Sequence, residues 1–352
     1  MLAKKVTFYI TVVLVALLLA AGAIFCYVVY FPFVPAENAE EIDILVRWGS
    51  SFGQVANELH ERGVIRDVDQ FKFTAKLFDK RQKLRVGKFT LKRGMSHYAA
   101  LDALVNGPQS YVSVTLPNGY DSRRFAGIIE RHLEIDSAKI VELVADSAFI
   151  QELSIEAPSL EGFLYPETYQ FTFGIGAKQV LSTLVNQFRR IASDSLFAIA
   201  KANNWSVVEV LAMASIIEGE AMVDAEMPTI SSVYHNRLKK GMRLQADPTI
   251  QYIIPDSPRR LSTRDLKIDS PYNTYLYKGL PPGPINNPGI LAIRAAISPT
   301  PTDYLYFVAN GDGTHTFSRS YSEHLRAKSK FDVIRKQVDA ERKQKEMNEQ
   351  QK

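Results

Sequence analysis

Hydrophobic positions along this chain follow three patterns. The first is continuous: from Val6 to Phe31 there are 26 residues without a charge, more than the roughly 20 a helix needs to cross a hydrocarbon core. The run predicts one membrane-spanning helix over 6–31. Lys4 and Lys5 precede it, Tyr27, Tyr30 and Phe31 close it, and Glu37, Glu40 and Glu41 follow. Positive-inside bias then makes residues 1–5 a cytoplasmic stub and places the rest on the extracytoplasmic side of the membrane. A cleaved signal peptide competes with this reading, since Ala21 and Ala23 form a small-x-small site. The apolar run nevertheless continues to Phe31, longer than the h-region such peptides carry.

The second pattern is short and repeated. A strand-like run, a glycine and a short amphipathic helix recur in ILVRWGSSFGQVANELHERG, FTLKRGMSHYAALDALVNG and VTLPNGYDSRRFAGIIERHL. Helical spacing predicts buried faces at Val55, Ala56 and Leu59, at Leu101 and Leu104, and at Phe125, Ala126 and Ile129. In each copy the glycine suits the positive φ of a tight strand-to-helix turn. These units predict a small β-α module over 42–135, which on pattern alone is more simply a spacer than a ligand-binding module.

The third pattern begins near Pro158, where polar clusters are embedded in apolar surroundings. NNWSVVEV carries Ser206 with Glu209 three residues later, a capping box that starts a helix at Val207. Gly219 is the expected end of that helix. At about 100° per residue Glu218 falls within the apolar stripe, while Glu209 and Glu220 share the opposite side and are expected to reach water. Glu218 is therefore the inward carboxylate. Burial and the negative end of the helix dipole would both raise its pKa, which suits a general acid. Pairing with an arginine or capping a loop are the plainer roles for such a group.

Composition narrows the remaining classes. With 42 basic against 38 acidic residues the formal net charge is +4, and no basic stripe with interleaved aromatics points to nucleic acid. Cys26 is the single cysteine, so no internal disulfide or cysteine-based zinc site can form. The histidines beyond His132, at 235, 315 and 324, lack the i, i+4 spacing of helical metal ligands, and there is no G-x-S-x-G or phosphate-loop motif. No cofactor or metal is implied. The segment 326–352 is rich in Lys, Arg, Glu and Gln and reads as a solvated helix and tail.

Carboxylates remain the plausible chemistry, and their neighbours suggest a polar groove. ISSVYHNRLKKGMRLQADPTIQY offers Tyr234, Asn236, Arg237, Gln245 and Asp247, and SPYNTYLYKGLPPGPINNPG offers Tyr272, Asn273 and Tyr275. Such side chains hydrogen-bond sugar hydroxyls and acetamides, although loops held by their own Asx turns look the same. YLYFVANGDGTHTFS reads as a hairpin about Asn310 to Gly313.

Together with SLEGFLYPETYQF and LAMASIIEGEA, these three segments in this order resemble the YceG-like (MltG) family of endolytic murein transglycosylases, over roughly residues 42–325. The resemblance implies an α+β protein with a transmembrane helix, a LysM-like module at 42–135 and a YceG-like catalytic domain at 136–325. It further implies Glu218 as catalytic acid/base, peptidoglycan glycan strands as substrate, and peptidoglycan synthases (penicillin-binding proteins) as partners; Glu167, in SLEGFLYPETYQF, joins the candidate substrate-binding residues. One departure stands out: Asn118 occupies LPNGY where an acidic residue is expected, which puts module contacts in doubt rather than the chemistry. A transglycosylase of this kind needs one carboxyl group. Hydrolysis would need a second, at about 5 to 5.5 Å for retention or 6.5 to 9.5 Å for inversion, with Asp224, Glu167 and Asp247 as candidates. A glycan-binding scaffold without turnover is the non-enzymatic alternative.

Overall fold

The structure, a computed structural model, describes residues 2–34, 39–255 and 257–329. It is a mixed α/β protein whose described residues form two compact units. Most of the tail expected over 326–352 lies outside the described residues; 321–329 are helical.

The first unit comprises the chain up to Val114 with 131–135 and 170–176. Helix α1 (Leu2–Tyr30) contains a segment, Val6–Tyr30, long and apolar enough to cross a membrane. Strand β1 (Glu41–Val46) pairs antiparallel with β2 (Gly87–Lys92), placing Ile44 opposite Phe89 and Ile42 opposite Leu91. Between them run α2 (Phe52–Glu61) and α3 (Val68–Leu77), and α4 (His97–Asn106) follows. Ser51, Asp67 and Ser96 cap these three helices through side-chain oxygens, satisfying N–H groups that have no intrahelical partner. The predicted faces of α2 and α4 are buried together with Phe71 and Ala75 of α3, a helix the repeat pattern did not anticipate. Gly49, Gly94 and Gly119, the turn glycines of the three repeats, have φ of +83°, +76° and +74°, a region that only glycine adopts without strain.

The division falls after Val114, so residues 115–130 of the third repeat belong to the second unit with 136–169 and the chain from Ala177. Strand β3 (Tyr111–Thr115) pairs with β4 (Thr168–Thr172). Helices α5 (Ser122–Leu133), α6 (Ser137–Ala145), α7 (Ser147–Glu152), α8 (Ala177–Ile191) and α9 (Asp194–Ala202) precede the central α10 (Val207–Glu220). Around α10 pack α11 (Met227–Lys239), α12 (Asp247–Ile253) and α13 (Ile290–Ile297). Every residue from Val210 to Ile217 is buried. A helix that is apolar all round sits inside a core rather than on its surface, so α10 is the axle of this unit. The predicted hairpin is present as β5 (Tyr306–Ala309) and β6 (His315–Ser318), with Ala309 opposite His315.

Candidate active site

The capping box that opens α10 is formed as expected: Glu209 N–H donates to Ser206 Oγ at 3.2 Å, and Ser206 N–H to Glu209 Oε2 at 2.8 Å. Its far end differs from expectation. Gly219 lies inside the helix, which ends at Glu220 with Ala221 as C-cap. The glycine is required by close approach, because a Cβ there would lie 2.7 Å from Pro248 Cβ at the start of α12. Glu220, expected to reach water, is half-buried and lines the cleft described below, but it is not a free surface group. The Tyr234 hydroxyl donates to its Oε1 at 2.9 Å, and burial pushes its pKa up to about 7. With core on every side of α10, opposite faces of the helical wheel do not divide core from water.

Glu218 is half-buried in the last turn of α10. Its Oε2 accepts the N–H of Gly289, the residue that caps α13, at 3.0 Å. Burial raises its pKa above the ordinary carboxylate value, the charge of Asp224 adds to that, and the Gly289 N–H opposes it. The phenol of Tyr165 takes the next amide, from Ile290, and its own pKa is raised chiefly by burial.

The LPNGY loop closes around this carboxylate. A Cβ on Gly119 would meet Glu218 Cγ at 3.4 Å, and one on Gly289 would meet Asn118 Nδ2 at 2.5 Å. The departure at Asn118 therefore bears on the site itself rather than on module contacts. One side chain organises the surrounding loops. Asn287 Oδ1 accepts the N–H groups of Gly162 and Leu164 at 2.8 and 3.1 Å, and its Nδ2 donates to Tyr120 O and to Glu161 Oε1 at 3.1 and 2.9 Å. Glu161 also accepts the Ser122 hydroxyl at 2.7 Å, and its burial raises its pKa to about 7. The loop before α13 is tied to α10 one turn before Glu218. Ile285 N–H donates to Ser215 Oγ at 3.0 Å, and Asn286 Nδ2 to Ser215 O at 2.8 Å.

Beside Glu218 lies a cleft of about 300 Å³. It is lined by Gly119 and Asp121 before α5 and Arg124 in its first turn, by Gly219 and Glu220, by Asp247, Pro248, Gln251 and Tyr252 of α12, and by Ser257, Pro258, Ile285 and Asn286. Glu218 is not itself a lining residue; it adjoins two that are, Gly219 in the chain and Gly119 across the LPNGY loop.

The expected groove residues divide into two sets. Asp247 lines the cleft and accepts the Tyr275 hydroxyl. Tyr272 is half-buried, with its ring 5.1 Å from that of Tyr252 on the cleft wall. Gln245 is exposed just before α12, and Glu167 is exposed and accepts from Gln187. The other four are committed internally, which corrects their assignment to a sugar-binding surface. Tyr234 is buried against Glu220. Asn236 donates to the carbonyls of Thr302 and Tyr304 at 2.7 and 3.0 Å. Buried Arg237 donates to the carbonyls of Leu305 and Leu244. Asn273, fully enclosed, donates to Leu266 O and Ile268 O at 3.2 and 2.7 Å. A buried amide or guanidinium facing backbone carbonyls is satisfied there at no cost in desolvated, unpaired donors. Glu161, Arg124 and Asn287 were missed; a glutamate in the apolar SLEGFLY run was the available signal for the first. Among the described residues no group of three or more His, Cys, Asp or Glu side chains is placed to hold a metal ion.

The model of the YceG-like family matches residues 44–330. An endolytic murein transglycosylase of Bacillus subtilis (strain 168) is 32% identical, over 85% of this chain and 87% of that protein. One from Streptococcus pneumoniae serotype 2 is 27% identical over 91% of this chain, which spans 66% of that longer relative. The crystal structure of a YceG-like protein from Listeria monocytogenes aligns over 82% of this chain and 99% of its own, at a TM-score of 0.57 and 32% identity. With the family model spanning most of the sequence and a third of the residues shared with relatives of matching length, the chain belongs to the YceG-like family.

Proposed function

We propose that the protein is a membrane-anchored endolytic murein transglycosylase that cleaves the β-1,4 bond between N-acetylmuramic acid and N-acetylglucosamine. The observation that carries this reading is the setting of Glu218: half-buried, with a raised pKa, beside a polar cleft, and perturbed by no basic residue. Burial shifts the titration of such a glutamate upward, the direction a general acid needs. The Gly289 N–H fixes Oε2, which leaves Oε1 to carry the proton. Glu218 donates it to the oxygen leaving C1 of the muramic acid, while that sugar's 2-acetamido group stabilises the oxocarbenium-like centre. The resulting carboxylate then accepts the proton of the C6 hydroxyl as this attacks C1, closing a 1,6-anhydro ring. The products together weigh the same as the substrate, because no water is consumed.

A second reading has one observation in its favour: Glu220 and Asp247 also line the cleft, so a second carboxylate for hydrolysis is at hand. Mass spectrometry of digested strands separates the two. A 1,6-anhydro end is one water lighter than a hydrolytic end, so the expected product is the lighter one and a purely hydrated product would sink the main reading.

The remaining assignments belong to the same proposal. α1 anchors the chain with its N-terminus in the cytoplasm. The compact β1-α2-α3-β2 arrangement supports a LysM-like, glycan-facing module over 42–135, with the catalytic domain over 136–325. The partners are peptidoglycan synthases, whose nascent strands it shortens.

A further inference from the structure

Among the described residues, Arg124 is the only basic one lining the cleft. The other charged lining residues each hold a donor already: Asp121 caps α5 through Arg124 N–H at 2.9 Å, Glu220 holds the Tyr234 hydroxyl and Asp247 the Tyr275 hydroxyl. Neighbouring arginines are paired. Arg123 bridges to Asp121 at 3.1 Å and donates to Tyr252 O at 2.8 Å, and Arg259 grips Asp265 through two nitrogens at 2.7 and 2.8 Å. Arg124 differs from both. Among the described residues its half-buried guanidinium makes one long hydrogen bond, Nη2 to Ser257 Oγ at 3.3 Å, and no ion pair with a carboxylate. It lies over the ring of Tyr120, 5.3 Å from the centroid, which holds the planar fork in one orientation.

A guanidinium has five donors in a plane and cannot shed its charge. Withdrawing one partly from water without an anionic partner costs free energy, so an arginine placed this way is poised for an anion from outside, and its fork matches a carboxylate. We propose that Arg124 is a specificity residue that binds a carboxylate carried by the muramic acid residues of the substrate. That carboxylate belongs either to the stem peptide or to the bare lactyl group. The proposal rests on the murein reading and adds that the enzyme reads the acidic appendage as well as the sugars.

The test uses full-length protein in detergent, wild type and Arg124→Gln, on three preparations of glycan strands: peptide-bearing, amidase-stripped so that the lactyl carboxylate is exposed, and peptide-bearing with carboxyl groups converted to neutral amides. Both turnover and equilibrium binding are measured. Arg124→Gln is expected to lose roughly five- to tenfold in kcat/KM and affinity on whichever preparation presents the carboxylate it reads, peptide-bearing or stripped, and to match wild type on amidated ones. Arg124→Lys, which keeps the charge but not the fork, should fall between. A loss confined to peptide-bearing strands identifies a stem-peptide carboxylate; one confined to stripped strands, where the lactyl carboxyl is no longer tied up as an amide, identifies the lactyl group; a loss on both shows that the fork accepts either. Equal loss on all three preparations, or none on any, overturns the proposal. If wild type turns over none of them while the binding pattern holds, the murein-cleaving reading fails and the arginine assignment stands; if binding is also unaffected by amidation, the arginine assignment fails too.

Discussion

Two glutamates two positions apart on α10 have different chemistry because their neighbours differ. Glu218 accepts a backbone amide on one oxygen, whereas Glu220, half-buried like it, is held by the hydroxyl of the buried Tyr234. Glu218→Gln keeps the acceptor for Gly289 N–H but has no proton to give. It is expected to fold normally and to lose at least about a hundredfold in strand cleavage, the scale of general acid catalysis; near wild-type turnover in a reducing-end assay would remove the residue from the mechanism. Glu220→Gln should act on stability instead. With a folded-state pKa of about 7 against an ordinary value of 4.5, the folded state holds this proton more tightly than the unfolded chain. Wild type therefore loses stability as pH rises from about 4.5 through about 7, on the order of 3 kcal/mol from this group alone. A neutral glutamine accepts the same Tyr234 bond at every pH. Thermal melts at pH 5 and pH 8 should thus lie closer together for Glu220→Gln than for wild type, and parallel shifts would show that the acid is ionised at no cost.

The elements show what the sequence could and could not reveal. The capping box at Ser206, the three turn glycines and the 310–313 hairpin were legible because each is a local rule, written in residues a few positions apart. The end of α10 was not, because Gly219 answers to Pro248, which approaches it from α12. The cleft was half legible. Residues near Asp247 and Tyr272 were found through their polar types, but the same types at Tyr234, Asn236, Arg237 and Asn273 serve internal carbonyls and carboxylates. Residue type alone cannot separate a satisfied buried amide from a waiting one. Asn287 gives the sharpest test of this network. It serves four partners across the loops at 120, 161–164 and 287, so Asn287→Ala strands two buried N–H groups and frees Glu161 from one of its donors. The expected loss is about 3 kcal/mol or more in urea unfolding, with activity falling as the loops around Glu218 loosen. A loss under about 1 kcal/mol would mean that water replaces the side chain without strain.

For the whole molecule, the apolar helix does more than meet the length needed to cross a membrane. A span of 26 uncharged residues exceeds what a bilayer requires, and its last turns are used by the first unit. Val29 is fully buried, Val28 O accepts from His97 Nδ1 at 2.8 Å, and the rings of Phe25 and Tyr30 lie 6.4 and 5.2 Å from those of Phe73 on α3 and Tyr98 on α4. The carbonyl can only accept, so His97 is the donor and loses its partner if α1 is removed. A chain shortened to begin at Ala39 should leave the membrane fraction, and it should also expose this face, losing roughly 1.5–3 kcal/mol for each large apolar side chain uncovered and stranding the His97 donor. A chain beginning at Ala23 keeps residues 25–30 and should retain that stability while losing most of the span. Hydrogen exchange at the amides of α3 and α4 distinguishes the two in detergent. Faster exchange is expected only in the shorter chain, and equal protection in both would show that the unit folds without its tether and that α1 serves as a simple stalk.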